Sequence, residues 1–351
     1  MSIFNRHALA AIALVTTLAA GLAEPLHAAA GEVNLYSYRQ PMLMQPLLDA
    51  FTQQTGIRVN VVYAEKGLLE RLKAEGANGP ADLVLTSDVG NPNDLVEAGL
   101  LQPVDSAVLR TNIPAQYRDP EGRWYGLSMR ARPILAAKGR VEPGAILTYE
   151  DLADPKWRGR VCTRSGKHVY MVSLIAAMIA HKGEPETAVW LEGVKANLAR
   201  KPQGNDRAQA KAIAAGECDI ALINSYYQGL MQTGADDAAE KAWAEAGYLI
   251  FPNQDDRGTH VNVSGAGVTV GAKNRADAIR LIEFLSDEKA QALYAAQNFE
   301  YPVKPGTQLT EVVTAWGPFK ADTIDLVTVA KQRATASRLV DRVDYDGGGG
   351  S

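Results

Sequence analysis

The chain has 351 residues, enough for two domains of about 150 residues each. Its hydrophobic fraction of 46%, charged fraction of 22% and net charge of −4 are those of an ordinary soluble globular protein, and they exclude a basic nucleic-acid-binding chain. Removing residues 1–30 leaves this charge unchanged because Arg6 and Glu24 cancel.

Residues 1–30 are predicted to be a secretory signal peptide. Arg6 supplies a positive charge, residues 8–22 are apolar and uncharged, and residues 26–30 end in three alanines suited to cleavage. The apolar stretch is too short to span a bilayer comfortably, which favours export over the alternative of an N-terminal membrane anchor. At the other end, residues 347–351 read Gly-Gly-Gly-Gly-Ser and are expected to be a flexible tail or an added linker.

The first predicted elements alternate between strand and helix. Residues 33–38 alternate in polarity and are rich in strand formers, and Pro41 suits the first turn of the helix that follows. Strands at residues 57–63 and 81–86 flank a helix at residues 68–75. This alternation predicts a parallel, doubly wound α/β sheet.

The remaining elements continue this pattern after a hairpin at residues 119–126 and an extended segment at residues 127–136, which holds Arg130 and Arg132. Strands are predicted at 160–163, 219–223, 248–252, 260–270 and 301–303, and helices at 93–98, 169–179, 190–199, 206–215, 236–246, 276–285, 288–296 and 323–338.

Cys162 and Cys218 are the two cysteines of the chain, and an even number in an exported protein predicts a disulfide. Cys162 lies eight residues before Tyr170, and Cys218 lies eight residues before Tyr226. If the strands at these positions are neighbours, a bridge would join the two segments that carry the tyrosines. The alternative, two buried free thiols, is less expected outside the cytoplasm.

Tyrosines recur where a predicted strand turns into a helix. Asn224 and Ser225 suit a helix start and precede Tyr226 and Tyr227, directly after the buried strand at residues 219–223. The same design is present in two other segments, Tyr38-Arg39-Gln40-Pro41 and His168-Val169-Tyr170. Such turns line the crevice where open α/β sheets bind ligands. Either these are ordinary half-buried tyrosines, or the three turns face one interlobe cleft.

Clustered phenols point to a particular kind of cation. A free tyrosine has a pKa of about 10 and is neutral at pH 7, so several phenolates are expected together only beside a strong cation. Three phenolates balance the charge of a trivalent metal, and hard oxygen donors suit hard cations, whereas softer divalent metals prefer histidine or cysteine. Ferric iron is therefore the metal that this pattern favours.

A set of segments spread over nearly the whole chain after residue 30 carries a family resemblance. These segments are Tyr36-Ser37-Tyr38-Arg39-Gln40-Pro41, Ala81-Asp82-Leu83-Val84-Leu85-Thr86, Met129-Arg130-Ala131-Arg132, Cys162-Thr163-Arg164-Ser165-Gly166, Asn224-Ser225-Tyr226-Tyr227, Gly258-Thr259-His260-Val261-Asn262-Val263-Ser264-Gly265, Glu283-Phe284-Leu285-Ser286 and Phe299-Glu300-Tyr301-Pro302-Val303. Together they resemble the periplasmic ferric-ion-binding proteins of bacterial iron ABC importers.

This resemblance implies a two-lobed type II periplasmic binding protein of the α/β class, with a doubly wound mixed sheet in each lobe. It also implies that Fe(III) binds in the interlobe cleft and is delivered to an inner-membrane ABC permease, and that the protein is periplasmic. We expect a monomer without a nucleic-acid partner. The first lobe is predicted to comprise residues 31–127 and 253–300, and the second lobe residues 128–252 and 301–346.

The resemblance also assigns Tyr170, Tyr226 and Tyr227 as phenolate ligands of Fe(III). One branch of this family has a His-Tyr pair after the first strand, but Gln40 and Pro41 occupy those positions here, and proline has no side-chain donor. The sequence is therefore similar to the branch with three tyrosines, in which an exogenous anion such as carbonate completes the coordination.

Arg39 and Arg130 are the candidates for holding that anion, because a guanidinium group binds oxyanions through two hydrogen bonds. Gln40 is expected to add a hydrogen bond. Tyr38 is expected to donate a hydrogen bond beside the ligands, and direct binding to the metal is the alternative. For each arginine, a surface salt bridge is the competing interpretation.

Two other functions fit parts of the pattern. A binding protein for a small organic or inorganic anion, or for a thiamine- or polyamine-like ligand, would share the fold but predicts stacking aromatics or acidic groups instead of convergent phenols. An exported hydrolase predicts a Gly-x-Ser-x-Gly or His-Glu-x-x-His motif, and because the sequence has neither, no enzyme is expected. His168 is interpreted as a loop residue near the site or in solvent, and His260 as a structural hydrogen-bonding residue.

Overall fold

The structure is a computed structural model that describes residues 31–234 and 238–349. The predicted signal peptide at residues 1–30 lies outside the described residues, as do the last two residues of the predicted tail. Within the described ranges, no helix combines the length and the apolar character needed to cross a membrane.

The secondary structure of the described residues follows the alternation expected from the sequence. The strands are β1 (Glu32–Ser37), β2 (Arg58–Tyr63), β3 (Leu83–Leu85), β4 (Tyr125–Ala131), β5 (Ile134–Ala137), β6 (Val161–Cys162), β7 (Ile220–Leu222), β8 (Gly247–Ile250), β9 (Val261–Val268) and β10 (Tyr301–Pro302). The helices are α1 (Pro41–Thr55), α2 (Leu68–Glu75), α3 (Gly90–Glu97), α4 (Ala107–Asn112), α5 (Val169–Lys182), α6 (Glu184–Ala196), α7 (Asp206–Ala214), α8 (Ser225–Thr233), α9 (Ala238–Glu245), α10 (Arg275–Leu285), α11 (Glu288–Asn298), α12 (Glu311–Thr314), α13 (Leu326–Lys331) and α14 (Arg333–Arg342).

The strands form two sheets. The first has the order β10-β4-β9-β3-β1-β2, in which β1 is parallel to β2 and β3, while β9 is antiparallel to β3 and β4, and β10 is antiparallel to β4. The second has the order β6-β7-β5-β8, in which β6 and β7 are parallel and β5 is antiparallel to both of its neighbours. The predicted fold class, a two-lobed α/β protein with a mixed sheet in each lobe, is confirmed. We call the parts of the chain built on these sheets the first and the second lobe.

Each lobe has its own apolar core. In the second lobe, alternate residues of the strands enter different cores, because successive side chains of a strand point to opposite faces. Ile134 and Leu222 pack on one face with α5, whereas Leu135 and Ala221 pack on the other face with α7. Both faces of the second sheet are therefore covered, as expected for a doubly wound sheet.

The chain crosses between the lobes after β4, after β8 and a third time along α13. At the first crossing, the backbone N–H of Arg132 donates to the carbonyl of His260 at 3.0 Å, so the first two crossing segments are joined directly. The buried hydroxyl of Tyr149 donates to the Arg132 carbonyl at 2.8 Å and accepts from the His260 N–H at 3.2 Å. These contacts fix the position of Arg132 and His260 at the base of the cleft between the lobes.

Several boundaries differ from those predicted; α6, for example, begins at Glu184, six residues before its predicted start. The terminal helix expected at residues 323–338 is divided at Gln332 into α13 and α14. The change of core does not coincide with the division, because within α13 Leu326 packs in the core of the first lobe and Val329 in that of the second, where α14 also packs. Strand pairing also puts residues 128–131 and β10 in the first sheet, although the predicted limits gave both to the second lobe. The limits of the lobes otherwise stay a prediction.

The predicted disulfide between Cys162 and Cys218 is present, with the two Cα atoms 6.0 Å apart. Cys162 is the last residue of β6, and Cys218 lies two residues before β7. Because β6 and β7 are parallel neighbours, the bridge joins the two segments that lead to α5 and α8.

Candidate metal site

Tyr170 and the pair Tyr226 and Tyr227 lie in the first turns of α5 and α8. These helices follow β6 and β7, whose carboxyl ends meet at the same edge of the second sheet. His168 caps α5, because its Nδ1 accepts the N–H of Tyr170 at 3.2 Å, and Asn224 precedes α8. Two of the three predicted turns therefore bring their tyrosines together, at the edge where α/β sheets bind ligands.

The three phenolic side chains are in contact with one another. The hydroxyl oxygens of Tyr170 and Tyr226 are 3.2 Å apart. The ring centroids of Tyr226 and Tyr227 are 4.3 Å apart, with 30° between the ring planes. Tyr226 exposes only 6% of its surface, while Tyr170 and Tyr227 are half-buried. The cluster thus brings the hydroxyl oxygens of Tyr170 and Tyr226 together beside the ring of a third phenol, Tyr227.

The phenols of Tyr226 and Tyr227 resist ionisation. Burial, together with the neighbouring phenols of Tyr170 and Tyr227, raises the pKa of Tyr226 well above 10. Burial and the adjacent Tyr170 raise the pKa of Tyr227 to about 12. Since a phenolate ligand must lose its proton, a cation that binds here competes with protons for the oxygen atoms.

Arginine side chains surround the cluster. The guanidinium carbon of Arg164 lies 4.9 Å from the ring centroid of Tyr170, and those of Arg130 and Arg132 lie 5.7 Å from it. Arg207 lies 5.3 Å from the ring centroid of Tyr227. Positive charge at these distances attracts small anions.

The fully buried carboxylate of Asp206 balances part of this charge. Its Oδ2 accepts from Arg132 at 2.7 Å and from the backbone N–H of Asn224 at 2.7 Å, and its Oδ1 accepts from Arg164 at 2.9 Å. One carboxylate thereby holds two guanidinium groups. The immediate surroundings of Tyr170 therefore keep an excess of positive charge.

A small cavity of about 10 Å³, roughly the size that holds one water molecule, lies against Tyr170. Two buried polar atoms in its wall, Nδ2 of Asn224 and Nδ1 of His260, have no hydrogen-bond partner among the described residues. Burial, with the charges of Arg132 and Arg130, lowers the pKa of His260 to about 3, so this imidazole is neutral. The residues that line the cavity are Arg130, Arg132, Tyr170, Ser173, Asn224, His260 and Asn262.

Arg39, one of the two predicted anion-binding arginines, lies in a buried ion pair. Its Nη1 and Nη2 donate to Glu300 at 2.7 and 2.8 Å, and Nη1 also donates to Ser264 at 2.7 Å. Arg39 and Glu300 are 5% and 1% exposed. The terminal nitrogens of Arg39 make these contacts in the structure, and its predicted role at the anion stays a prediction. The ion pair is buried, which differs from the surface salt bridge that was the competing interpretation.

The other predicted residues occupy different environments. Arg130 is buried beside Tyr170 and donates from Nη2 to the carbonyl of Ser87. The hydroxyl of Tyr38 accepts the backbone N–H of Leu69 at 2.8 Å, at the start of α2. Gln40 is exposed and precedes α1. The parts that Tyr38 and Gln40 play in binding stay predictions.

Three charged residues of the site had no assigned role in the sequence analysis, namely Arg132, Arg164 and Asp206. The alternation of Arg130 and Arg132 in one extended segment was a usable signal, because residues two apart on a strand share a face. Asp206 lacked any signal, because an acidic residue in a first helical turn is ordinary and Asn205 already caps α7.

Residues 31–234 and 238–349 contain no group of three or more histidine, cysteine, aspartate or glutamate side chains able to hold a metal ion. The candidate metal donors are therefore the phenolic oxygens. An all-oxygen set of this kind suits a hard trivalent cation better than a softer divalent metal.

Comparison with known proteins agrees with the fold. Residues 40–300 match a family model described as bacterial extracellular solute-binding protein. The chain belongs to this family of bacterial extracellular solute-binding proteins. Among curated relatives, iron uptake protein A1 of Synechocystis sp. is 46% identical over 315 residues, which cover 90% of this chain and 87% of that protein.

Solved structures are similar over the same extent. The apo ferric ion-binding protein A of Pasteurella haemolytica has 51% sequence identity and a TM-score of 0.85, and the match covers 90% of this chain and 99% of that one. A Trichodesmium protein in complex with iron and citrate ligands has 44% identity and a TM-score of 0.85, and the match covers 90% of this chain and 100% of that one.

Proposed function

We propose that the protein captures Fe(III) through the phenolates of Tyr170, Tyr226 and Tyr227 and delivers it to an ABC importer. The observation that carries this proposal is the phenol cluster, in which the hydroxyl oxygens of Tyr170 and Tyr226 are 3.2 Å apart. The names of similar proteins support the metal, since one is an iron uptake protein and another was solved with iron and citrate.

Capture begins when the ferric ion replaces the protons of the phenols. Three phenolates carry three negative charges, so together with Fe(III) they form a neutral unit that can be buried without an uncompensated charge. Arg132 and Arg164, held by Asp206, stabilise the phenolate of Tyr170 while it forms. Closure of the first lobe over the ion then adds contacts that only the closed form makes, which stabilises that form.

A small oxyanion such as carbonate completes the coordination in this proposal. Arg130 and Arg132 are the residues that would hold it, because both line the cavity against Tyr170. Binding of Fe(III) should therefore tighten when bicarbonate is added to carbonate-free buffer. In the Arg130→Gln variant the gain should be smaller, and an equal gain in that variant would remove Arg130 from the anion site.

Residues 1–30 are interpreted as the signal that exports the protein to the periplasm. There it would act as a monomer without nucleic acid, and the closed, loaded form would be the one that the inner-membrane permease recognises. The function is binding and delivery, without chemical conversion of a substrate.

The alternative function is a binding protein for a small anion on the same fold. The experiment that separates the two is a thermal shift titration of iron-free protein with Fe(III) and bicarbonate, and with citrate, phosphate or sulfate alone. We expect stabilisation by Fe(III) at one ion per chain. Stabilisation by an anion alone, without any effect of Fe(III), would replace the iron function with anion binding.

A further inference from the structure

Two side chains of the second lobe contact residues of the first lobe that adjoin one short segment: Ser173 contacts Asn262, and Arg333 contacts Asp94. This segment, residues 86–90, runs from the end of β3 to the first residue of α3, and we call it the β3 loop. Ser173 lies on α5 and Arg333 begins α14, and both helices pack in the core of the second lobe. Their contacts therefore cross from one lobe to the other.

The first contact is made through Asn262 of β9. Its Oδ1 accepts the backbone N–H of Val89 at 2.9 Å, and its Nδ2 donates to Asp88 at 2.6 Å. The same Nδ2 donates to the hydroxyl of Ser173 at 2.6 Å. The β3 loop thus fixes the side-chain amide of Asn262. One N–H of its Nδ2 is used for Asp88, and the other points across the cleft to Ser173. Ser173 is buried one helical turn after Tyr170, so this bond also fixes the distance between Tyr170 and the first lobe.

The second contact is an ion pair at the start of α3. Arg333 donates from Nη1 to the carboxylate of Asp94 at 3.0 Å. Its guanidinium group lies against Gly90, where an added Cβ atom would be 2.0 Å from the guanidinium carbon. Only glycine permits this approach, because any larger residue would push Arg333 away. The two contacts approach the β3 loop from different helices, α5 and α14.

We propose that the Asn262–Ser173 hydrogen bond and the Arg333–Asp94 ion pair form a latch that holds the lobes together and slows the release of bound Fe(III). A bond between lobes exists only while the lobes are closed, so it stabilises the closed form alone. An enclosed ion must wait for the lobes to open, and the latch therefore lowers the dissociation rate. This inference rests on the proposed function wherever the release of iron is the quantity that is measured.

The test compares iron release from Ser173→Ala, Arg333→Gln and the double variant with release from the unaltered protein, using a chelator to trap the ion. Thr187→Val removes a buried hydroxyl that bonds only within the second lobe, to the Gly183 carbonyl, and serves as the control for Ser173. Arg342→Gln removes an ion pair with Glu184 within the same lobe and serves as the control for Arg333.

Each latch variant should release iron about three- to tenfold faster, the effect of one lost hydrogen bond or partly buried ion pair, and the double variant faster still. The controls should release iron at the unaltered rate, and the visible spectrum of every loaded variant should be unchanged because the ligands remain. Unchanged release from both latch variants would overturn the latch.

Small-angle X-ray scattering of the iron-free proteins separates failure of the latch from failure of the proposed function. The latch variants should have a larger radius of gyration than the unaltered protein and the controls, because more molecules are open. If the unaltered protein binds no iron, the proposed function fails, but this scattering difference still supports the latch. Equal radii for all proteins would contradict it.

Discussion

The hydroxyl oxygens of Tyr170 and Tyr226 lie 3.2 Å apart, although 56 residues separate them in the chain. The parallel pairing of β6 and β7 produces this contact, since each strand leads into a helix that carries one of the tyrosines in its first turn. The disulfide between Cys162 and Cys218 holds the same two segments, and its cysteines are also 56 residues apart. Each cysteine therefore precedes its tyrosine by the same number of residues, and the bridge joins equivalent positions of the two segments.

Removing one phenol oxygen should abolish tight iron binding. We expect Tyr226→Phe and Tyr227→Phe each to lower the affinity for Fe(III) at least about 100-fold, more than the loss of a group that only supports a ligand. Equilibrium competition with a chelator measures this change. Tyr248→Phe is the matched control, because its hydroxyl bonds to the Val141 carbonyl on the second sheet, away from the cluster. Unchanged affinity in either cluster variant would remove that tyrosine from the ligand set.

Asp206 should be important for stability as well as for the site. Asp206→Asn leaves Arg132 and Arg164 without their buried counter-charge, and loss of one partner of a buried pair costs about 3–5 kcal/mol. Urea unfolding of the iron-free protein measures the change. Asp277→Asn removes only the partly buried partner of the exposed Arg280 and should change stability by less than about 0.5 kcal/mol. Equal effects of the two substitutions would contradict the importance of the buried network.

Asp219 should make the stability of the second lobe depend on pH. Partial burial alone would raise its pKa, but hydrogen bonds from Arg140 and Arg160 outweigh burial and lower the pKa below 3.8. Since the folded pKa is below the unfolded one, the stabilisation is present above the unfolded pKa and is lost as the pH falls through the folded value. Asp219→Asn should cost about 1 kcal/mol at pH 7, and the difference should shrink toward pH 2. A difference that does not change with pH would contradict the charge as its cause.

The disulfide should stabilise the fold without being required for iron binding. Replacing Cys162 and Cys218 by serine opens a loop of 56 residues, which costs about 4 kcal/mol in the chain-entropy model. Urea unfolding of the oxidised protein and of the double variant measures this difference. Below the unfolding transition the variant should still bind iron, because β6 and β7 remain paired through their backbones. Loss of iron binding by a folded variant would show that the bridge positions the tyrosines.

The local sequence was sufficient for the tyrosine turns but not for the arginines. Tyr170, Tyr226 and Tyr227 follow apolar strands and precede helical periodicity, so neighbouring residues define their environment. The environment of Arg39 depends on Glu300, which is 261 residues away and belongs to the segment that leads into β10. No local pattern reveals such a pairing, and the structure was needed to show that Arg39 is already engaged.

The helix boundaries illustrate the same limit. The apolar spacing of residues 323–338 is continuous and predicts one helix, yet Leu326 packs in the first lobe and Leu339 in the second. Neither proline nor glycine lies at the break at Gln332, and the change of core occurs earlier, within α13, between Leu326 and Val329. A periodicity of apolar residues identifies the buried face of a helix but not the core that the face contacts.

The most direct test of Fe(III) binding by phenolates is the visible absorption spectrum of the protein without residues 1–30. The protein is mixed with ferric citrate and bicarbonate at neutral pH, freed of unbound iron, and then acidified. We expect a broad visible band that grows with iron to one equivalent per chain and disappears in acid, as the phenolates take up protons. A folded protein that retains no iron, or retains it without a visible band, would contradict phenolate binding at Tyr170, Tyr226 and Tyr227.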